Sequence, residues 1–488
     1  RLLCAFGLPR CLPLRVSLGV PFRVSLGLSF RLSLGLRERR SPLMPTDSHS
    51  AISFCWVDDY FSHIRPHFDI READSLLMVL PNRAVRVNRT ALAMLKHLKH
   101  GGSIDAIVER LGDRHERHYE AYCFLCDFRS LMSGCLGEGW KRKAVETLPH
   151  TLPFNTLPVL SEIAVTYRCN LRCQFCYAAC GCQRADRPSR EMSTDEVARI
   201  LHIIKHDAGV PSVSFTGGEP LMRDDLETLV ARAVETDLRV NLITNATLLA
   251  GNGRALRLRS AGLTSAQVSL EGPNADIHDA LTTVPGSFDL TLSGLAALRD
   301  AGIHVHTNTT LSATNAAHAV DLVRRVASLG LDRMSMNLII PTGSATSGLQ
   351  VAYSDIWEII APAREEARQR EIDFMWYSPT PMCIMNPLAN GMGNKSCAAC
   401  DGLLSISPTG DILPCSSYDE PVGNLLSQPF DDIWNSSRAV FFRNKDYAPA
   451  ECSGCEEFKA CAGACPLYWS ALGTRELTEV QRREHAPA

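Results

Sequence analysis

Cys169, Cys173 and Cys176 are separated by three and then two residues. A loop carrying three thiolates at that spacing can hold three irons of a [4Fe–4S] cluster, and the lack of a fourth ligand leaves one iron open to an exogenous molecule. An open iron is a catalytic feature. Structural zinc is the alternative, although it takes four closed ligands and usually two pairs of thiols.

A second group follows near the carboxy terminus: Cys397, Cys400 and Cys415, then Cys452, Cys455, Cys461 and Cys465. These spacings also suit metal ligation, with a zinc ribbon as the competing reading. Gly410 and Pro414 fit a hairpin that carries Cys415 at its end. Ten of the 19 cysteines fall in these two groups, which is unlike a small secreted disulfide framework and points to a reducing compartment. Cys180 and Cys182 either contact substrate or fill space, and the cysteines between 123 and 135 read as helix core.

The elements that must position these thiols are legible as alternating strands and helices from 158 to about 370. Strands are expected at 162–166, 212–215, 239–244, 266–270, 303–309 and 333–340. Helices are expected at 195–206, opened by a Ser193/Glu196 capping box, and at 225–235, 290–300 and 315–328. Six such units predict an α/β fold with a parallel sheet, best fitted by a partial (β/α)6 TIM-like barrel. The first cysteine group follows the first strand. After the second strand come Gly217, Gly218, Glu219 and Pro220, where two glycines permit close backbone approach to a ligand and the carboxylate can accept from an ammonium group.

Upstream, 75–80 and 84–88 flank Pro81-Asn82-Arg83 as strand, turn and strand. Helices then begin at Thr90, at Ile104 behind the cap Ser103, and at about His115, the last running to Leu136. This is a winged-helix shape without a basic recognition helix. Residues 1–43 contain a hexapeptide-like repeat with a period of eight and are read as a spurious or unstructured leader, or else a targeting segment, with Met44 as the expected start. The domains expected are therefore 1–43, 44–150 (winged helix), 151–370 (barrel) and 371–488 (cysteine-rich extension).

The Cys169–Cys173–Cys176 spacing, with Phe175 before the last cysteine, resembles the radical S-adenosylmethionine (SAM) superfamily, and Gly217 to Pro220 is similar to its Gly-Gly-Glu-Pro segment. The resemblance implies that SAM chelates the open iron and is cleaved reductively to a 5′-deoxyadenosyl radical. It also implies that Gly217, Gly218, Glu219, Pro220, Asn245, Ser269 and Asn308 face the cofactor, while Glu271 stands where relatives commonly carry Asp. The later cysteines resemble a SPASM extension, implying one auxiliary [4Fe–4S] cluster on Cys397, Cys400, Cys415 and Cys465. A second would use Cys452, Cys455 and Cys461, with its fourth position open, filled by another residue, or borrowed from upstream, Cys383 being the leading thiol. Residues 66–140 resemble a PqqD-type peptide-recognition domain, with Asn88, Thr90 and Ala91 opening its helix. Such domains add a leader peptide as a strand, here at an edge near 75–89.

These resemblances imply a peptide maturase with a precursor-peptide leader as partner and a flavodoxin or ferredoxin as electron donor. Cross-linking, epimerisation and oxidation remain open as the modification. Tetrapyrrole or other small-molecule maturation is the alternative, since Pro341-Thr-Gly343 resembles a segment found there. A non-catalytic iron–sulfur scaffold is the third reading. A net charge of -3 with scattered basic residues argues against nucleic acid. No window reaches the roughly 18 to 20 apolar residues of a membrane span, so a cytoplasmic protein is expected.

Overall fold

The computed structural model describes residues 28–32, 52–80, 83–133, 145–149, 154–180, 190–251, 253–345, 347–393 and 396–484, giving backbone alone at 28–32, 145–149, 347 and 481–484. Cys135, Cys182 and most of the 1–43 repeat lie outside these residues.

Six strands, Leu160–Thr166, Ser212–Gly217, Arg239–Thr244, Ser265–Ser269, His304–Leu311 and Arg333–Leu338, lie side by side in chain order and pair in parallel. Burial alternates along Arg239–Thr244 and His304–Leu311, as a strand with two different faces requires. One face packs against the crossover helices through side chains such as Phe215, Leu242 and Val268. Burying each such side chain stabilises by about 1.5–3 kcal/mol. The helix Thr194–His206 is opened by the expected capping box: Glu196 N donates to Ser193 Oγ at 3.2 Å, and Ser193 N donates to Glu196 Oε2 at 2.9 Å.

Two further parallel strands flank these six. Asp373–Trp376 follows the helix Ile356–Gln369 and adds beyond the sixth strand, so the barrel sheet reaches past the expected boundary at 370. With four residues and an exposed-to-buried gradient in place of alternation, it gave little period-two signal. Leu403–Ile406 pairs with the first strand and forms a hairpin with Asp411–Leu413. The sheet ends are not bonded to each other, which leaves the barrel partial.

The amino-terminal part has its own core. Phe68–Arg71, Leu76–Val79 and Arg83–Val87 form an antiparallel meander. The helices Arg89–Lys99, Ile104–Leu111 and His115–Met132 pack on it, and Phe61, Phe68 and Phe128 meet ring to ring. Asn88 and Ser103 cap the first two helices. The third helix ends at Met132, short of the expected Leu136. Within the segment expected to lack structure, Leu28–Leu32 is a strand whose alternating sequence suits its parallel pairing with Arg83–Val87 and antiparallel pairing with Val145–Pro149. The edge expected to receive a peptide is therefore occupied by the chain itself.

Arg71 joins this part to the barrel. It is 6 % exposed, pairs with Asp74 at 2.8 Å, and donates to the carbonyls of Leu157, Pro158, Ala208 and Gly209. Lys205 adds contacts to Asp69 at 3.5 Å and Asp237 at 2.9 Å. Pro158, Gly209 and Asp237 each precede a barrel strand, so the amino-terminal domain sits where the strands begin.

Candidate active site

The first cysteine group lies at the opposite, carboxy-terminal end of the strands and is held by four neighbouring segments. Gly218 N donates to Thr166 O at 2.8 Å, and Glu219 N to Arg168 O at 2.9 Å. Asn170 donates to Thr247 Oγ1 at 2.7 Å and accepts from Asn245 Nδ2 at 3.0 Å. The helix Ala275–Thr282 receives Arg172 N at Thr282 O (3.1 Å) and Gln174 N at Leu281 O (3.0 Å). Ser344 N, after the sixth strand, donates to Cys176 O at 2.8 Å.

The glycines serve these contacts. A Cβ on Gly217, whose φ is +134°, would lie 2.1 Å from Thr166 O, and one on Gly218 would lie 2.3 Å from Arg168 O. The close approach expected toward a ligand is made toward the cysteine loop itself. Gly343 acts alike: its φ is +63°, and a Cβ would lie 2.2 Å from Tyr177 O.

The three cysteines are half-buried. Leu171 N donates to Cys169 Sγ and Cys180 N to Cys176 Sγ, each at 3.4 Å. Burial pushes the Cys169 thiol up to about 12 and the Cys173 thiol well above its ordinary value, with Glu271 adding to the latter. Such thiols become thiolates only against metal charge, and N–H donors to sulfur are what iron–sulfur ligands use. Among the described residues no three Cys, His, Asp or Glu side chains converge as ligands of one metal ion would. A four-iron cube holds its thiolates at separate corners, farther apart than a single ion does, and the donor set fits such a group.

The expected cofactor-facing residues divide. Glu219 is 0 % exposed, and burial raises its carboxyl. Its oxygens accept from Leu221 N at 3.0 Å, Thr244 Oγ1 at 2.7 Å and Asn245 N at 2.8 Å, so this carboxylate ties barrel loops together. Pro220 opens a buried turn beside it. Asn245 is likewise committed, accepting from Thr247 and donating to Asn170. Asn308 lies mid-strand, donating to Asn337 at 2.7 Å and accepting from Ser335 at 2.8 Å. Ser269, its register partner, is half-buried with no hydrogen bond from its hydroxyl among the described residues.

Sequence reasoning singled out Glu271 but not its partners, and missed the rest of the support beneath this site. Glu271 is 3 % exposed, accepts from Thr310 N at 2.9 Å, and burial pushes its carboxyl up to about 8. Its own amide donates to His278 Nδ1 at 3.1 Å, and burial keeps that imidazole neutral down to about 4. Glu162, from the first strand, accepts from Ser405 at 2.7 Å and has Tyr177 and Cys415 as neighbours, so it lies between the two cysteine regions. Single carboxylates within or just past a strand have no spacing signature.

In the carboxy-terminal region the Leu403–Ile406/Asp411–Leu413 hairpin delivers Cys415 at its end, with Gly410 at φ +85° in the turn. Burial raises the Cys415 and Cys465 thiols, and the neighbouring Cys397 thiol raises both further. Burial and then Cys397 also raise the Cys400 thiol, and the Tyr418 hydroxyl is raised by burial and then by the charges of all four thiols. Cys452, Cys455 and Cys461 form a separate set, with the Cys461 and Cys455 thiols acting on Cys452.

A model of the radical SAM superfamily matches residues 163–326, and one described as an iron–sulfur cluster-binding domain, SPASM, matches 397–456. The AdoMet-dependent heme synthase of Nitratidesulfovibrio vulgaris is 32% identical over 333 residues, covering 63% of this chain and 88% of that protein. The PqqA peptide cyclase of Granulibacter bethesdensis is 26% identical over 337 residues, covering 66% and 85%. In fold, the crystal structure of Streptococcus suis SuiB matches with a TM-score of 0.60 at 18% identity, covering 84% of this chain and 96% of that one.

Proposed function

We propose, from the premise that this chain belongs to the radical SAM superfamily and carries a SPASM domain, that it modifies a ribosomally made peptide whose leader is held by residues 66–140. The carrying observation is the amino-terminal domain. The heme synthase relative is spanned to 88% of its length by 63% of this chain, which leaves over a third of this chain outside that likeness. The SuiB fold match covers 84%, more than residues 154–484 amount to, so it extends into that domain. SuiB has also been crystallised with its precursor peptide SuiA. Leu28–Leu32 pairs with Arg83–Val87 on the edge expected for the leader, so a leader added as a strand there would displace that segment.

With its cluster and SAM bound, the site supplies a 5′-deoxyadenosyl radical by reductive cleavage. The chain's own part is positional. Cys169, Cys173 and Cys176 hold the cluster, Gly217 and Gly218 seat the loop against the second strand, and Ser269 offers a free hydroxyl to the cofactor. Electrons come from a flavodoxin or ferredoxin. The test is the full chain, reconstituted without oxygen, with SAM, reductant and a precursor peptide. The peptide should change mass as 5′-deoxyadenosine forms, and both should fail when its leader is removed.

A second reading, tetrapyrrole maturation, is favoured by three heme synthase relatives at 29–32% identity. It prevails if the full chain binds no precursor peptide yet turns over a porphyrin, and if that turnover survives loss of residues 44–150.

A further inference from the structure

We propose that Cys383 is the fourth thiolate of the second auxiliary cluster, closing a site otherwise made by Cys452, Cys455 and Cys461. This rests on the SPASM cysteines holding iron–sulfur clusters and not on the identity of the substrate. The local trio lies within ten residues, and three thiolates can serve three irons of a four-iron cluster. Cys465 lies beside the Cys397 thiol and so belongs with the other set.

The segment after the seventh parallel strand folds directly onto the trio. Met382 N donates to Cys461 Sγ at 3.4 Å, and that sulfur lies 4.0 Å from Thr380 O. Met382, Ala460 and Cys461 form a small buried cluster of their own, apart from the main core. Cys383 is the next residue, and the thiols that act on it are those of Cys461, Cys452 and Cys455. The other described cysteines belong elsewhere: Cys123 and Cys126 to the amino-terminal helix His115–Met132, Cys180 to the loop at Cys176, and Cys55 to the start of the amino-terminal domain.

Closure decides what this cluster can do. With a thiolate on every iron no coordination position remains for substrate, which leaves electron carriage as its chemistry. Cys383 and Cys455 are both exposed, so the site opens to the surface, where a soluble electron carrier can reach it.

The experiment uses the full chain, reconstituted anaerobically, with Cys169, Cys173 and Cys176 replaced by Ala so that only auxiliary clusters contribute to the spectrum. About eight irons per chain are expected, from two four-iron clusters, and Cys383→Ala should lose about four of them or change the electron paramagnetic resonance signal of one cluster. An unchanged iron count with an unchanged spectrum overturns the proposal. To separate ligation from misfolding of the variant, the unmutated holoprotein is also treated with iodoacetamide. Cys383 should resist alkylation until the iron is chelated, and its ready labelling in the loaded protein overturns the assignment. A count of about four irons before any change at Cys383 overturns it too, by removing the second auxiliary cluster itself.

Discussion

The loop bearing Cys169, Cys173 and Cys176 and the set made by Cys383, Cys452, Cys455 and Cys461 solve the same problem in opposite ways. The first keeps its thiols within eight residues and is fixed from outside by backbone contacts from four segments. The second draws thiols from segments about seventy residues apart, joined by the bond from the Met382 amide to the Cys461 sulfur and by a small apolar cluster. A site braced by its surroundings can leave one iron coordination position vacant and still hold its shape. A dispersed site gains its shape from what it binds, as metal sites coupled to folding do.

The sharpest break of this contrast is at the ligands. Cys173→Ala should bring 5′-deoxyadenosine formation below detection while leaving the melting temperature of the metal-free chain nearly unchanged, because the brace does not involve the sulfur. A large loss of metal-free stability would erase the distinction. Next in size is Gly343→Ala, whose Cβ meets the Tyr177 carbonyl and whose backbone sits at positive φ. It should cost about 1–3 kcal/mol and lower iron occupancy of the first site alone, read by thermal melting and iron analysis.

Acid should act on the braced loop selectively. His278 stays neutral down to about 4 in the folded chain, whereas an unfolded histidine takes its proton near 6.5. The unfolded state therefore binds more protons between these values, and the stability His278 provides is complete above about 6.5 and lost as pH falls toward 4. Protonation also removes the acceptor for Glu271 N and loosens the helix that holds Arg172 and Gln174. Melting between pH 7 and 4.5 should fall less steeply in His278→Asn, which keeps an acceptor that does not titrate. The smallest effect belongs to Ser269→Ala, where losing one hydroxyl contact should raise the KM for SAM about two- to tenfold with kcat little changed.

Much of the barrel was legible because its strands alternate and its helices carry caps: Ser193 with Glu196 marked a helix start that the structure confirms on both hydrogen bonds. Asp373–Trp376 escaped because four residues with one graded face carry no period. At the site, cysteine spacing was readable, but what Gly217, Gly218 and Glu219 do was not. Their partners, Thr166, Arg168 and Thr244, come from other strands and the cysteine loop, and only the folded chain shows which backbone a missing Cβ makes room for. Cys383 likewise stood isolated in sequence and gains neighbours only when the seventh strand turns back.

The placement of the amino-terminal domain at the starting ends of the strands sets a ruler for anything it grips. The first strand alone is seven residues long, about 23 Å at roughly 3.3 Å per residue, and the reactive cysteines stand beyond its far end. A tethered chain must bridge at least that span, so about seven extended residues separate the anchored segment from the nearest position chemistry can reach, and residues closer to the anchor are spared by distance alone.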